Sequence, residues 1–258
     1  MTYGDATFRD CVNLTTIPAI SNNSTRLYST FENCTSITHI PIIPDSVTYM
    51  NYAFENCSGF TGPLTIPNSV TSIGESAFYN CCRMPFFTFP GSVTSIGKHA
   101  FEECSGFREM TVPSTVRHIG TGAFHNCVGL RSVTLLAEID TIPEEAFMGC
   151  SNMKSVSIPE NVTFIGKKTF SGCSGLKSLP FSPNLKQIGA GAFSACSFDT
   201  LTIPESIVEI GECAFSECEN LRVVKFLSSN CNYTCQSGRH LFLKCPLMKE
   251  VFFGENVS

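Results

Sequence analysis

The protein has 258 residues with 17 basic and 22 acidic side chains, which gives a net charge of −5. Its hydrophobic fraction of 43% and charged fraction of 15% suffice for a packed core and exclude a disordered chain. The basic residues are scattered, so nucleic acid is not an expected partner. The sequence contains no apolar run of about eighteen residues, so we expect no membrane span. Residues 1–10 lack the basic and apolar regions of a secretory signal.

The pattern Phe-x-x-Cys organises the whole chain. It occurs eleven times, mostly at a spacing of 23 residues, and the exceptions are spacings of 24, 22 and 27. Its Phe residues are Phe8, Phe31, Phe54, Phe78, Phe101, Phe124, Phe147, Phe170, Phe193, Phe215 and Phe242. A period of this length is typical of solenoids. The sequence therefore predicts one repeat domain over 1–258 with about 11 repeats, atypical ends at 1–20 and 246–258, and a loop insertion at 228–239.

Each repeat begins with a predicted β-strand. In the copy 150–173, Val156 and Ile158 lie two residues apart, which is the period of a strand with one buried face. Pro159 ends this strand because proline has no amide donor for a ladder. A second short apolar segment follows and ends at Gly166, where the chain can bend sharply.

The Phe-x-x-Cys segment closes the repeat. Phe170 and Cys173 share a face if this segment forms a helical or 3₁₀ turn. A single repeat cannot bury its apolar side chains, so we expect the repeats to stack, with neighbouring strands roughly 4.8 Å apart in a continuous parallel sheet. Equivalent Phe and Cys side chains would then form internal columns.

The repeat Leu-x-x-Val-x-Ile-Pro-x-x-Val-Thr-x-Ile-Gly-x-x-Ala-Phe-x-x-Cys, as in 110–127 and 197–218, resembles the BspA-like leucine-rich repeat family, also called the Treponema pallidum type. That family occurs in bacterial surface proteins and is expanded in Trichomonas and Entamoeba. The resemblance implies a leucine-rich-repeat solenoid with a parallel β-sheet on its concave face and short strands, 3₁₀ or helical turns on its convex side. Asn51 and Pro143 depart from the pattern because they occupy the glycine position.

Eleven of the 15 cysteines recur once per repeat, and the other four are Cys82, Cys213, Cys231 and Cys235. A cysteine that returns at one position behaves as a small buried apolar residue, so we predict a column of reduced packing thiols. Bridges between adjacent coils are the alternative. Cys231 and Cys235 lie in the insertion, where a disulfide could close the loop. Zinc is not expected there, since His240 is the nearby imidazole and no second cysteine pair completes four ligands.

The sequence gives no indication of catalysis. Its five histidines fall at different positions of different repeats, and buried repeat thiols would resist ionisation. Phosphate-binding loops, dinucleotide-binding glycine patterns and nucleophile elbows are absent from the sequence. We therefore expect no enzyme activity, no catalytic residues, no cofactor and no metal.

The outward residues of the predicted strands form the candidate ligand face. Most are small hydroxyl residues, which favours a protein or glycan ligand over a highly charged one, although Ser and Thr also suit any exposed strand. Phe86 is the best candidate anchor if the register is right; a register error would place it inside. The candidate residues are Phe86, Thr88, Glu109, Thr111, Ser132, Thr134, Ser155 and Ser157.

Two functional hypotheses follow. The resemblance implies a non-enzymatic protein-binding or adhesion module, at the cell surface or secreted, that binds host cells, matrix proteins or microbes. The alternative is an intracellular leucine-rich-repeat scaffold in the cytoplasm, favoured by the missing signal peptide and by thiols suited to a reducing compartment. Val251, Phe252 and Phe253 would form an open apolar edge, which predicts end-to-end self-association.

Overall fold

Strands from successive repeats lie side by side in parallel. The computed structural model of the protein describes residues 4–228, 231–233 and 240–254. Ser72 lies opposite Ser95, and Thr200 lies opposite Val223, so the 23-residue period corresponds to one turn of a parallel β-solenoid. The predicted parallel stacking is therefore confirmed.

The short-strand side of the solenoid consists of eight two-residue strands among the described residues. Six of them end directly before a glycine, as the strand Ser95–Ile96 does before Gly97, because the chain turns there. They form one three-stranded and one five-stranded sheet. These strands are β1 (Ser72–Ile73), β2 (Ser95–Ile96), β4 (His118–Ile119), β6 (Thr141–Ile142), β8 (Phe164–Ile165), β9 (Gln187–Ile188), β11 (Glu209–Ile210) and β13 (Asn232–Tyr233). Strand pairing thus marks about eight turns, fewer than the eleven repeats predicted.

The long-strand side consists of strands of three or four residues with alternating burial. In the strand Glu109–Val112, Met110 and Val112 are buried while Glu109 and Thr111 face outward, as the period of two predicts. These strands form two separate three-stranded sheets. They are β3 (Glu109–Val112), β5 (Ser132–Leu135), β7 (Ser155–Ser157), β10 (Thr200–Ile203), β12 (Val223–Phe226) and β14 (Glu250–Phe253).

Proline explains where the long-strand side is interrupted in the described residues. On the long-strand side, the three coils before β3 form no strand, and their segments there contain Pro41, Pro63 and Pro85. Pro180 lies in the corresponding segment between β7 and β10, where the ladder also stops. Each proline removes one ladder donor, so pairing fails where a proline falls inside the segment.

The turn side contains the Phe-x-x-Cys segments, and the helical or 3₁₀ turns predicted there are not found in the described residues. Instead, alternate amides point in different directions. The amide of Cys57 donates to the carbonyl of Phe54 within its coil, at 3.1 Å, whereas the amide of Phe54 donates to Ala77 of the next coil, at 2.9 Å. A helix would use all these amides internally. The segment forms single turns because half of its donors bind the neighbouring coil.

The Phe side chains of the turn side form an unbroken stack. The ten consecutive ring pairs from Phe8 to Phe242 have centroid separations of 5.3–5.9 Å, and their planes differ by 2–20°. Nine of these rings, Phe31 to Phe215, are fully buried. Offset stacking and burial make this column the centre of the core.

Candidate functional site

The predicted ligand residues of β3, β5 and β7 are brought together in two rows. Glu109, Ser132 and Ser155 lie opposite one another in the first row, and Thr111, Thr134 and Ser157 lie opposite one another in the second. All six point outward, and Ser132 is the least exposed of them. The surface they form is therefore flat, rich in hydroxyl groups, and charged only at Glu109.

Phe86 and Thr88 do not belong to those rows. Both side chains point outward, and the ring of Phe86 is 55% exposed. Their segment does not pair with β3, however, because the ladder stops before that strand. The candidate face is thus divided into a regular hydroxyl surface and an irregular aromatic region.

A groove lies in the irregular region. Residues 63–68, Phe86 and residues 88–90 enclose an open depression of about 610 Å³, whose wall is mostly Pro, Leu, Ile and Phe. Asp45 also lines it and is shared with a neighbouring depression of about 330 Å³ that includes Ile42. We call these two depressions together the N-terminal groove.

Ile42 is a surface residue that the sequence analysis missed. Its side chain is 86% exposed, although Ile is normally buried. Ile43 and Pro44 align with Ile66 and Pro67, so Ile42 takes the outward position that Thr65 occupies in the next coil. Counting backwards from the proline, rather than forwards from Phe31, would have revealed it.

The repeat cysteines act as hydrogen-bond donors as well as packing groups. Ten thiols each donate to the carbonyl of a Phe in the preceding coil, at Sγ to oxygen distances of 3.0–3.3 Å. Thr169 shows that a hydroxyl can do similar work at the alanine position, since its Oγ1 donates to Pro143 of the preceding coil. The recurrence of cysteine at this position is thus explained by a hydrogen bond to the preceding coil as well as by packing, which the spacing alone did not show.

Burial makes these thiols unreactive. It raises the pKa of Cys34 to about 11 and the pKa of Cys173 and Cys218 to about 12, because a thiolate would lose its hydration. Apart from Cys231, the thirteen described cysteines are free thiols, so no bridge joins adjacent coils among them. Cys235 lies outside the described residues, and the proposed bridge to Cys231 with it.

Two histidines that the sequence placed in different repeats meet on the turn side. His125 Nδ1 lies 2.9 Å from Glu102 Oε1, and His99 Nδ1 lies 2.5 Å from Glu102 Oε2 without the alignment of a hydrogen bond. The two histidines thus occupy different positions of adjacent repeats, as the sequence indicates, and share one carboxylate. In the described part of the chain, no His, Cys, Asp and Glu side chains are grouped to hold a metal ion.

Comparison with known proteins places the chain in a family. The BspA type leucine-rich repeat region matches residues 1–90, 42–154 and 140–258, with six copies. The chain belongs to the BspA-type leucine-rich repeat family. The resemblance drawn from the repeat is thereby confirmed. No curated protein sequence matches the chain.

Solved structures of bacterial proteins share the fold. A leucine-rich repeat protein from Bacteroides ovatus is 29% identical, with a TM-score of 0.84 over 93% of this chain. The chain spans 63% of the length of that protein. A leucine-rich cell surface protein from Faecalibacterium prausnitzii is 26% identical, with a TM-score of 0.62, and the match covers 98% of this chain and 76% of the other. Within the described residues, no helix has the length and hydropathy needed to cross a membrane.

Proposed function

We propose that this BspA-type chain is a non-enzymatic adhesion module that binds a protein or glycan ligand through the outward residues of its long-strand side. The observation that carries the proposal is the arrangement of Thr111, Thr134 and Ser157 in one row of a strand ladder, with the exposed ring of Phe86 on the unpaired segment that precedes the ladder. A flat surface with few charges and one aromatic group suits a protein partner. Burial raises the pKa of the ten repeat thiols from Cys34 to Cys245, which disfavours catalysis by a thiolate at these positions.

We also propose that the chain works at a cell surface. The similarity to the cell surface protein of Faecalibacterium prausnitzii supports this location. The alternative is an intracellular scaffold, which the exposed free thiol of Cys11 favours. Labelling intact cells with a membrane-impermeant reagent separates the two: label on the protein supports the surface location, and label found only after lysis supports the scaffold.

Adhesion is tested with the full chain coated on fluorescent beads. The beads are applied to cultured epithelial cells and to a panel of purified extracellular-matrix proteins. The double variant Thr111→Lys/Thr134→Lys places two charges in the middle of the row and should lower bead binding at least tenfold. A matched variant, Ser114→Lys/Asn161→Lys, adds the same charges at exposed turns outside the row. Equal binding by both variants would reject the long-strand side as the ligand surface.

Self-association through β14 is part of the proposal. Val251, Phe252 and Phe253 are exposed on this strand, and an apolar depression of about 470 Å³ lies beside it. Exposed apolar strands favour pairing with another chain. Sedimentation velocity over a concentration series should show association that Phe253→Lys abolishes; a monomer at all concentrations would contradict it.

A further inference from the structure

Part of the main chain that lines the N-terminal groove makes no hydrogen bond with another described residue. Among the described residues, the amides of Leu64, Thr65 and Ile66 have no acceptor, and the same is true of the four amides of 86–89. The carbonyls of Pro67 and Pro90, where these segments end, accept from amides of their own coils. The matched segments β10 and β12, by contrast, pair along four residues. Main-chain groups in a folded protein are normally paired with protein or water. Two adjacent segments of the long-strand side thus leave a row of donors and acceptors open.

The side chains around this row define the ligand that would suit it. Pro63, Phe86 and Pro90 form apolar walls, and the neighbouring depression adds the exposed side chain of Ile42. Asp45 lies where the two depressions meet and is the charged residue among those that line them. Its carboxylate makes no hydrogen bond or ion pair in the described part of the chain. The groove therefore combines apolar walls with one available negative charge.

We propose that the N-terminal groove binds an extended peptide segment of a partner protein that carries a bulky apolar side chain next to a Lys or Arg. This inference rests on the proposed function and names the kind of partner. An extended peptide presents alternating amide and carbonyl groups every 3.3 Å or so, which can satisfy a row of open main-chain groups. Its apolar side chain packs against Phe86 and Pro63, and its cation lies beside Asp45. A neutral saccharide could stack on Phe86 but leaves Asp45 without a counter-charge.

The test begins with a random dodecapeptide library displayed on phage and selected against the immobilised full chain. The selected sequences should be enriched in an apolar residue adjacent to Lys or Arg. One selected peptide, labelled with fluorescein, is then titrated with the wild-type chain and its variants by fluorescence anisotropy. Absence of the apolar and basic pair from the selected sequences would overturn the proposal.

Variants inside and outside the groove identify the site. We expect Phe86→Ala to weaken peptide binding at least tenfold and Asp45→Asn to weaken it about threefold to tenfold, the latter effect shrinking at high salt. The matched controls are Leu136→Ala, at a side chain 54% exposed, and Glu160→Gln, at an exposed turn outside the groove, and each should change binding less than twofold. Circular dichroism checks that every variant is folded. Unchanged peptide binding by Phe86→Ala would refute the inference.

The bead assay separates this inference from the proposed function. Loss of bead binding in both Phe86→Ala and Thr111→Lys/Thr134→Lys supports the groove as part of the ligand surface. Loss in the second variant alone overturns the groove and leaves the proposed function standing. A glycan array on which the wild-type chain binds, and Phe86→Ala does not, would overturn the peptide assignment in favour of a saccharide.

Discussion

The turn side and the long-strand side are built from the same repeat, yet they tolerate sequence variation very differently. On the turn side the ring stack runs without a break from Phe8 to Phe242, and ten cysteines bind the preceding coil. On the long-strand side, pairing among the described residues stops before β3 and again between β7 and β10. The turn side therefore holds the coils together, which leaves the long-strand side, the proposed ligand surface, free to vary.

The strongest test of this difference uses pH. An unfolded thiol ionises near its usual pKa of 9.0, whereas burial raises the pKa of Cys173 to about 12 in the folded chain. The contribution of this buried thiol to the free energy of unfolding is therefore complete below pH 9. It is lost between pH 9 and 12, because in that range the thiol releases its proton only in the unfolded state. Each such thiol lowers the free energy of unfolding by up to about 1.4 kcal/mol per pH unit in this range. With ten such thiols, we expect unfolding by about pH 10 to 11, measured by circular dichroism under reducing conditions.

A cysteine variant shows whether the thiols cause this loss. Cys127→Ala removes one buried thiol whose pKa is raised by burial. The slope of unfolding free energy against pH above pH 9 should fall by up to about 1.4 kcal/mol per unit in this variant. Cys11→Ala, at an exposed thiol, should leave the slope unchanged. A wild-type chain equally stable at pH 8 and pH 11 would contradict the role given to the turn side.

Paired phenylalanine substitutions compare the two sides directly. The ring of Phe124 is fully buried between Phe101 and Phe147, with centroids 5.5 and 5.3 Å away, whereas the ring of Phe86 is half exposed. We expect Phe124→Ala to lower the free energy of unfolding by about 3 to 5 kcal/mol, because it opens a cavity in the stack. Phe86→Ala should change it by less than about 0.5 kcal/mol. Urea titration of both variants measures the difference, and similar losses would remove the distinction between the sides.

The sequence was sufficient to predict the regular part of the fold, but it predicted the candidate site less completely. Period, strand alternation and the parallel stack follow from positions such as Val156, Ile158 and Phe170, since a repeat leaves each side chain one place to be buried. The turn conformation was missed because its amides bind another coil, which local periodicity does not record. Ile42 was missed because one additional residue precedes Pro44, and the interruptions were missed although Pro63 and Pro85 indicate them.

Substitutions of glycine should give the smallest effects on the free energy of unfolding. They test whether the coils are packed more closely at the corners than beside the N-terminal groove. A Cβ on Gly120 would lie 2.4 Å from the backbone nitrogen of Lys98 in the preceding coil, whereas a Cβ on Gly91 would meet nothing within 4 Å. Gly120→Ala must push two coils apart and should cost about 1 to 3 kcal/mol. The cost is limited because Pro143 already occupies this position in another coil, which shows that the stack can adjust. Gly91→Ala lies beside the N-terminal groove and should be neutral or slightly stabilising, since it restricts the unfolded chain. Urea midpoints that shift equally for both variants would mean that the coils are no more tightly held at the corners than at the groove.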